Sequence, residues 1–168
     1  GRFIAFLDAD DQWLPQKLET QIGYMKSQGL AFTYSSYLKI DEAGHPMGSV
    51  TAYPSLDYKA MLENNYIGCL TAMYDTKLVG KQLMPDVRKR QDWGLWLKLL
   101  KLTPVAEGLA EPLAIYRVRG GSMSGNKFDL IKHNWNIYKH VEGFSYARSS
   151  WLMGRFVYFY AKKKLAAH

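Results

Sequence analysis

Three carboxylates in four positions are the residues of this chain best placed to do chemistry: Asp8, Asp10 and Asp11. They follow Phe3-Ile-Ala-Phe-Leu7, a continuous apolar run that suits a strand buried on both faces, as in the middle of a parallel sheet. In open α/β sheets ligands bind just beyond the carboxyl ends of the strands, where these three residues would stand. Carboxylates this close repel one another unless positive charge sits among them. A divalent metal carrying a phosphate is the natural partner, because Mg²⁺ and Mn²⁺ prefer hard oxygen ligands and share their shell with substrate phosphates. The plainer reading makes Asp10 or Asp11 a cap on the next helix. Acid phosphotransferases also carry Asp-x-Asp after an apolar strand, but Gln12 stands where they need Thr or Val.

Two further patterns carry reactive types. In Arg88-Lys-Arg90-Gln91-Asp92-Trp93, Asp92 lies where an apolar helical face begins. It is either an N-cap or a carboxylate fixed at the mouth of a site, with Arg88 and Arg90 nearby for anionic groups. Arg117-Val-Arg119-Gly-Gly-Ser122-Met-Ser124-Gly-Asn126 is a cationic, hydroxyl-rich segment. Such a loop can close on phosphates, since Gly permits close backbone approach and Arg pairs with oxyanions. Its plain reading is a solvated surface loop.

The elements that must position these residues alternate. Pro15 to Gln28 reads as a helix with Leu14, Leu18, Ile22 and Met25 on one face and Gly29 as its stop. Leu30 to Ile40 reads as a strand, Asp41 to His45 as a turn, and Met47 to Tyr53 as a hairpin partner. Leu56 to Asn64 reads as a short helix, Leu70 to Tyr74 as a strand, and Lys77 to Lys81 as another short helix. Trp93, Trp96, Leu97 and Leu100 share a helical face. Val105 to Glu107 and Leu113 to Arg117 read as two short strands. Phe128, Ile131, Trp135 and Tyr138 mark an amphipathic helix beside His133 and His140. Trp151 to Tyr160 is aromatic and ends in Lys162-Lys-Lys164. The pattern is α/β, divided into residues 1–126 and a basic aromatic helical tail, 127–168.

Composition narrows the class. Of 168 residues, 48% are hydrophobic and 14% aromatic, which fits one globular domain and not a disordered chain. The single cysteine, Cys69, cannot form an intrachain disulfide and fits a reducing compartment; it reads as a buried apolar residue. No apolar run reaches the length of a membrane span. The chain opens at Gly1 on the approach to a core strand, so the expectation is a fragment with material missing upstream. Net charge is +7. Residues 127–168 hold eight Lys/Arg against Asp129 and Glu142, which is +6, and leave +1 for the rest.

Taken in order, Leu7-Asp8-Ala-Asp10-Asp11-Gln-Trp13, the Leu-Pro-x-Lys helix start, Arg90-Gln91-Asp92-Trp93 and Tyr116-Arg117 before a Ser-bearing loop resemble family 2 glycosyltransferases of the GT-A fold, of the bacterial surface-polysaccharide type. The resemblance covers nearly all of this chain but only the C-terminal part of that domain. It implies a partial, Rossmann-like GT-A sheet flanked by helices. It also implies metal-dependent transfer of a sugar, with inversion, from a nucleotide diphosphate sugar to a glycan or lipid-linked acceptor hydroxyl. Asp8 and Asp10 match the family's Asp-x-Asp, one approaching the ribose and one holding Mn²⁺ or Mg²⁺, with Asp11 close by. Asp92 matches the general base, preceded here by Gln91 where many relatives have Glu. Arg117, Arg119, Ser122 and Ser124 fall where a mobile loop covers the diphosphate. Trp93 would lie beside the base and stack on the acceptor. The family's first strands lie upstream of Gly1, so the expectation is a chain inactive alone, with sticky sheet edges and a possible homodimer.

A non-catalytic module binding carbohydrate or a membrane surface is the alternative, with Asp8 and Asp10 as caps. Nucleic acid is not an expected partner, since the basic tail carries no known motif. The tail suits a peripheral membrane surface better. The expected location is cytoplasmic, on the inner face of the cell membrane.

Overall fold

A computed structural model describes residues 1–119 and 127–165, without the side chains of 127–129 and 160–165. The strands and helices are β1 (Phe3–Ala5), β2 (Gln12–Trp13), α1 (Lys17–Gln28), β3 (Phe32–Ile40), β4 (Pro46–Val50), β5 (Ser55–Asp57), α2 (Tyr58–Glu63), β6 (Met73–Asp75), α3 (Thr76–Val79), α4 (Gln91–Leu99), β7 (Val105–Arg117), α5 (Lys127–Asn136) and α6 (Tyr146–Leu165). A 3₁₀ turn, Cys69–Thr71, precedes β6, and a π segment, Ile137–Val141, continues α5.

The sheet runs β1-β6-β3-β7-β2, with β4 added to β3 and β5 to β7. β3 and β7 pair in parallel along its centre, and every other pairing is antiparallel. β7 is one long strand where two short ones were expected. Its interruption is a bulge: Ser35 pairs Leu109 but Ser36 pairs Pro112, so Ala110 and Glu111 are looped out. Pro112 lacks an N–H, and the strand passes it by slipping register.

β1 departs from the expected central strand. It is a three-residue edge strand paired with β6 alone, half-buried, and Leu7 beyond it is 47% exposed. A strand with one neighbour cannot be covered on both sides, however apolar its sequence. Leu56 likewise falls in β5 and not in α2, which is capped by Asp57 accepting from the Ala60 N–H at 2.8 Å.

α1 ends as expected at Gly29, left-handed at φ 65°. Its buried face differs from the apolar stripe. Lys17, Gln21 and Met25 point inward while Leu18 is 45% exposed. The reason is a demand for donors. The 3₁₀ turn leaves carbonyls inside the protein, and a buried carbonyl without a partner is costly. Lys17 and Gln21 both donate to Thr71 O, at 3.1 and 3.0 Å, and the Trp13 indole donates to Leu70 O at 2.9 Å. Lys17 Nζ also donates to Gln21 Oε1 at 2.5 Å. Three side chains of the β2–α1 unit thereby fix the turn that carries Cys69.

The main core lies on the other face of the sheet. Trp93, Leu95, Trp96, Leu97 and Leu99 of α4 are all buried. Trp96 meets Phe32 and the edge of Phe6, with centroids 5.3 Å apart in each case. Ile137, Tyr138 and Leu152 belong to the same cluster, and the Tyr138 hydroxyl donates to Leu62 O at 2.7 Å. The segment after residue 127 is therefore packed on the domain.

Burial holds the Lys17 ammonium down to about 8 from its usual 10.5. A lowered lysine binds fewer protons folded than unfolded between those values, so its contribution to stability rises with pH across pH 8 to 10.5. Relative to Lys17→Met, the urea-derived stability of the native chain should rise by about 2 kcal/mol between pH 7.5 and 9.5. Above pH 10, Tyr34, Tyr58 and Tyr138, raised by burial, act in the opposite direction. A pH-independent difference between the two proteins would show that Lys17 is not buried as described.

Candidate active site

The turn after β1 closes on itself: the Asp11 N–H donates to Asp8 O at 3.1 Å. Asp11 is buried and accepts the Arg117 N–H at 3.0 Å. The Arg117 guanidinium bridges this turn to the β3–β4 hairpin, donating from Nε to Asp10 O at 3.3 Å and from one amino group to Asp41 O and Glu42 O at 3.3 and 3.2 Å. Arg117 is thus spent on backbone carbonyls, where a diphosphate ligand was expected. Arg119 Nε pairs with Asp10 Oδ2 at 3.1 Å. Ser122 and Ser124 lie outside the described residues.

Electrostatics show what this crowding does. Asp8 is raised above the usual carboxylate range by partial burial and then by the charges of Asp10 and Asp92. Asp11 is raised chiefly by burial, which outweighs the Arg117 N–H. Asp8 and Asp92, distant in sequence, therefore feel each other directly. Both line one cleft of about 380 Å³, with Cys69, Met84, Arg88, Lys89, Arg90 and Gln91.

Asp92 is not the N-cap of α4. Arg90 holds that position, at a left-handed φ of 65°, without a side-chain cap bond, and Asp92 sits in the first turn. Its Oδ2 accepts from Asn65 Nδ2 at 2.8 Å. A carboxylate in the first turn also sits favourably against the positive end of the helix. The Arg90 guanidinium is held below its ordinary range by burial, an effect Asp92 partly opposes, and lies 5.8 Å from the Trp93 ring centroid. Trp93 itself is elsewhere than expected. It is fully buried, donates from its indole to Met61 O at 2.7 Å, and stacks edge-on with Tyr138. Trp93 follows Asp92 by one residue and is therefore turned about 100° around the helix, toward the core.

Asn65, Met84, Leu130 and His133 reach the site with no sequence signal, because each arrives from a loop or helix whose packing is tertiary. Cys69 does so through the clamped 3₁₀ turn. Among the described residues, no three His, Cys, Asp or Glu side chains form a group that could hold a metal ion. The donor types still fit one: Asp8 and Asp10 are hard oxygen donors with excess negative charge, and Mg²⁺-class ions take one or two carboxylates and complete their shell with phosphate and water.

The mixed sheet with its flanking helices is that of part of a GT-A glycosyltransferase domain, and the comparisons agree on the fold and the family. The fold aligns with residues 1–349 of S. aureus TarS, solved with UDP-GlcNAc, at a TM-score of 0.56 and 13% identity over 94% of this chain and 48% of that one. Residues 1–83 match the model of Glycosyl transferase family 2. The chain is 38% identical over 166 residues to the Bacillus subtilis (strain 168) glycosyltransferase TuaG, assigned to teichuronic acid biosynthesis, covering 98% of this chain and 66% of TuaG. It is 38% identical over 138 residues to the Escherichia coli UDP-Glc:alpha-D-GlcNAc-diphosphoundecaprenol beta-1,3-glucosyltransferase WfgD, covering 82% of this chain and 54% of WfgD. This chain belongs to glycosyl transferase family 2, and it spans between about half and two thirds of the length of these relatives.

The Cys69 thiol is pushed up to about 12 by burial and by the charges of Asp92, Asp8 and Asp11. At pH 8 it should react with a disulfide reagent at least about 100-fold more slowly than a free cysteine. Asp92→Asn, which removes the largest of those charges, should speed the reaction severalfold in a still-folded chain. Reaction at the free-thiol rate, or no response to Asp92→Asn, would separate Cys69 and Asp92 and dissolve the site.

Proposed function

We propose that this chain carries the diphosphate and acceptor side of a metal-dependent, inverting glycosyltransferase of surface-polysaccharide synthesis, acting on a nucleotide diphosphate sugar. The observation that supports this reading is the shared cleft of Asp8 and Asp92, one from the Asp-x-Asp turn and the other from the start of α4.

Inversion requires one base on the face opposite the leaving group and no covalent nucleophile, the one-step geometry of inverting glycosidases with a sugar hydroxyl in place of water. Asp92 is the base. Asn65 ties down Oδ2 and so fixes the plane of the carboxylate, leaving Oδ1 for the acceptor proton. Asp10 and Asp8 would hold Mn²⁺ or Mg²⁺, which supplies positive charge against the departing diphosphate. Arg117 keeps the turn in place, while Arg119, on Asp10, stands ready to exchange its carboxylate for a phosphate oxygen. The donor class is that of the nucleotide seen with TarS, and a lipid-linked acceptor is that of WfgD.

Calorimetric titration of UDP, with and without Mn²⁺, into the chain and into the longest natural form that contains it tests this. Metal-dependent binding lost in Asp10→Ala is expected. Asp92→Asn should lower transfer by the longer form by about 10²–10⁴-fold with binding kept. Absence of metal-dependent binding of any nucleoside diphosphate by either form would instead favour a non-catalytic binding module.

Peripheral attachment to a membrane is the second part of this reading. No helix among the described residues is long and apolar enough to cross a membrane. α6 packs Ser149, Leu152 and Phe156 inward. Its outward face holds Trp151 and Tyr158, 59% and 62% exposed, beside Arg148, and the sequence from Gly143 to Leu165 contains no acidic residue. Exposed aromatics with basic neighbours suit the headgroup region of an anionic bilayer. The face also serves the cleft, since α5, which contacts α6, contributes Leu130 and His133 to it. Replacing Trp151 and Tyr158 together by Ser should weaken partitioning to anionic vesicles by at least about 10-fold without unfolding the chain; unchanged partitioning would leave α6 a structural helix only.

A further inference from the structure

We infer that the acceptor is at least a disaccharide, and that its second sugar unit stacks on a platform made by Tyr53 and Tyr66. The inference rests on the glycosyltransferase reading and adds to it the size of the acceptor and a subsite that holds it.

The two rings meet edge-on, with centroids 5.3 Å apart and planes 73° from each other. Tyr66 is half-buried and packs on the core, while Tyr53 is 54% exposed. A single exposed ring is ordinary, but the backbone that carries this one is held at three consecutive residues. The Ala52 N–H donates to the Ser36 hydroxyl at 2.9 Å, the Tyr34 hydroxyl donates to Tyr53 O at 2.7 Å, and the Gly108 N–H donates to Pro54 O at 2.8 Å. Ser36 and Tyr34 are themselves buried. Gly108 makes room for this fit, since a Cβ there would stand 2.0 Å from Tyr53 O. The chain thus fixes the backbone under a ring that it leaves in solvent, and an aromatic surface fixed in advance is a binding surface that needs little ordering.

The platform borders the base. Tyr66 follows Asn65, whose side-chain amide donates to Asp92 Oδ2 at 2.8 Å. One peptide step and one Asn side chain keep the Tyr66 Cα within about 10 Å of that oxygen, roughly the span of two pyranose rings. The attacked sugar occupies the cleft at Asp92, so the platform meets the next unit along. The neighbours of the rings define the chemistry of that unit. Asn64 and Asn65 are amides, and Glu63, whose charge reaches the Tyr66 hydroxyl, is paired with Arg155. Amides and a compensated ion pair suit hydroxyls more than an anion. A neutral pyranose with equatorial hydroxyls offers a C–H face that sheds water against an aromatic ring while its hydroxyls stay hydrated at the rim. Tyrosine serves well here, because its ring has few rotamers to lose and its hydroxyl tolerates water. The reaction that supplies the acceptor must then itself be a glycosyl transfer, and this enzyme extends a chain already begun.

Saturation-transfer NMR titration with cellobiose and with methyl β-glucoside, in the longest natural form that contains the chain, tests this. Cellobiose should bind at least about 3-fold more tightly than the monosaccharide. Tyr53→Ser should abolish that advantage and Tyr53→Phe should keep it, because stacking needs the ring and not the hydroxyl. Tyr146→Ser, which removes an exposed tyrosine at the start of α6, should also keep it. The hydrogen bonds that hold residues 52–54 do not use the Tyr53 ring, so these variants should fold. UDP with Mn²⁺ should leave cellobiose bound, since donor and acceptor occupy the site together. Equal affinity for the two saccharides, or no cellobiose binding, overturns the inference. So does an equal loss in Tyr146→Ser or in Tyr53→Phe, or displacement of cellobiose by UDP, which would put the sugar in the donor site. The donor titration separates this result from the broader reading. A protein that binds UDP with Mn²⁺ but not cellobiose keeps the transferase reading and loses this one, and one that binds cellobiose but no nucleoside diphosphate loses both.

Discussion

Three carboxylates packed into one turn repel each other, and the site depends on how that repulsion is contained. The containment is backbone-first. Asp11 is anchored by the Arg117 N–H, and the Arg117 side chain ties the turn to the β3–β4 hairpin through three carbonyls. Arg117 can do this only because β7 pairs in parallel with β3 as far as its end and delivers its last residue beside the turn. The bulge opposite Ser35 and Ser36 belongs to the same constraint, since it resets the register so that Lys39 and Ile40 meet Tyr116 and Arg117. Asp8 lines the cleft and is held above the usual carboxylate range by partial burial and by the charges of Asp10 and Asp92; perturbed carboxylates of this kind cluster at functional sites.

The second support is α4. One face is the centre of the core, with Trp93 and Trp96 buried against Tyr138 and Phe32, and that anchoring holds the first turn of the helix rigidly at the cleft. Asp92 and Arg90 are therefore presented by a helix that cannot shift without breaking the core. The polar clamp on the opposite side of the sheet does the same for the 3₁₀ turn, at the cost of burying Lys17. Sites built on elements fixed in this way keep their geometry better than sites on free loops.

The part after residue 127 is joined to both supports. Ile137, Tyr138 and Leu152 complete the core, Arg155 pairs with Glu63, and Glu142 receives Lys101 and the Tyr58 hydroxyl. Its basic composition, legible in the sequence, describes only the surface of α6. Its aromatics divide between the core and solvent, which composition does not show.

The sequence by itself determined the family, the class of fold and which charged residues stand next to apolar runs, available for chemistry. Asp8, Asp10, Asp92 and the arginines around them are legible because charge next to an apolar run is a local signal, and so are the extent of α1 with its Gly29 stop and the β3–β4 hairpin. Tertiary structure decided which of those residues meet. It moved β1 to an edge, where one neighbour leaves it half-buried, and put Lys17 and Gln21 inside in place of Leu18 to satisfy carbonyls contributed from far along the chain. It turned Trp93 into the core, spent Arg117 on backbone, made Arg90 the strained cap of α4, and brought Asn65 to Asp92. Each of these outcomes rests on a partner distant in sequence. Periodicity and spacing report what a residue offers, but burial and hydrogen bonding are settled by what arrives opposite it.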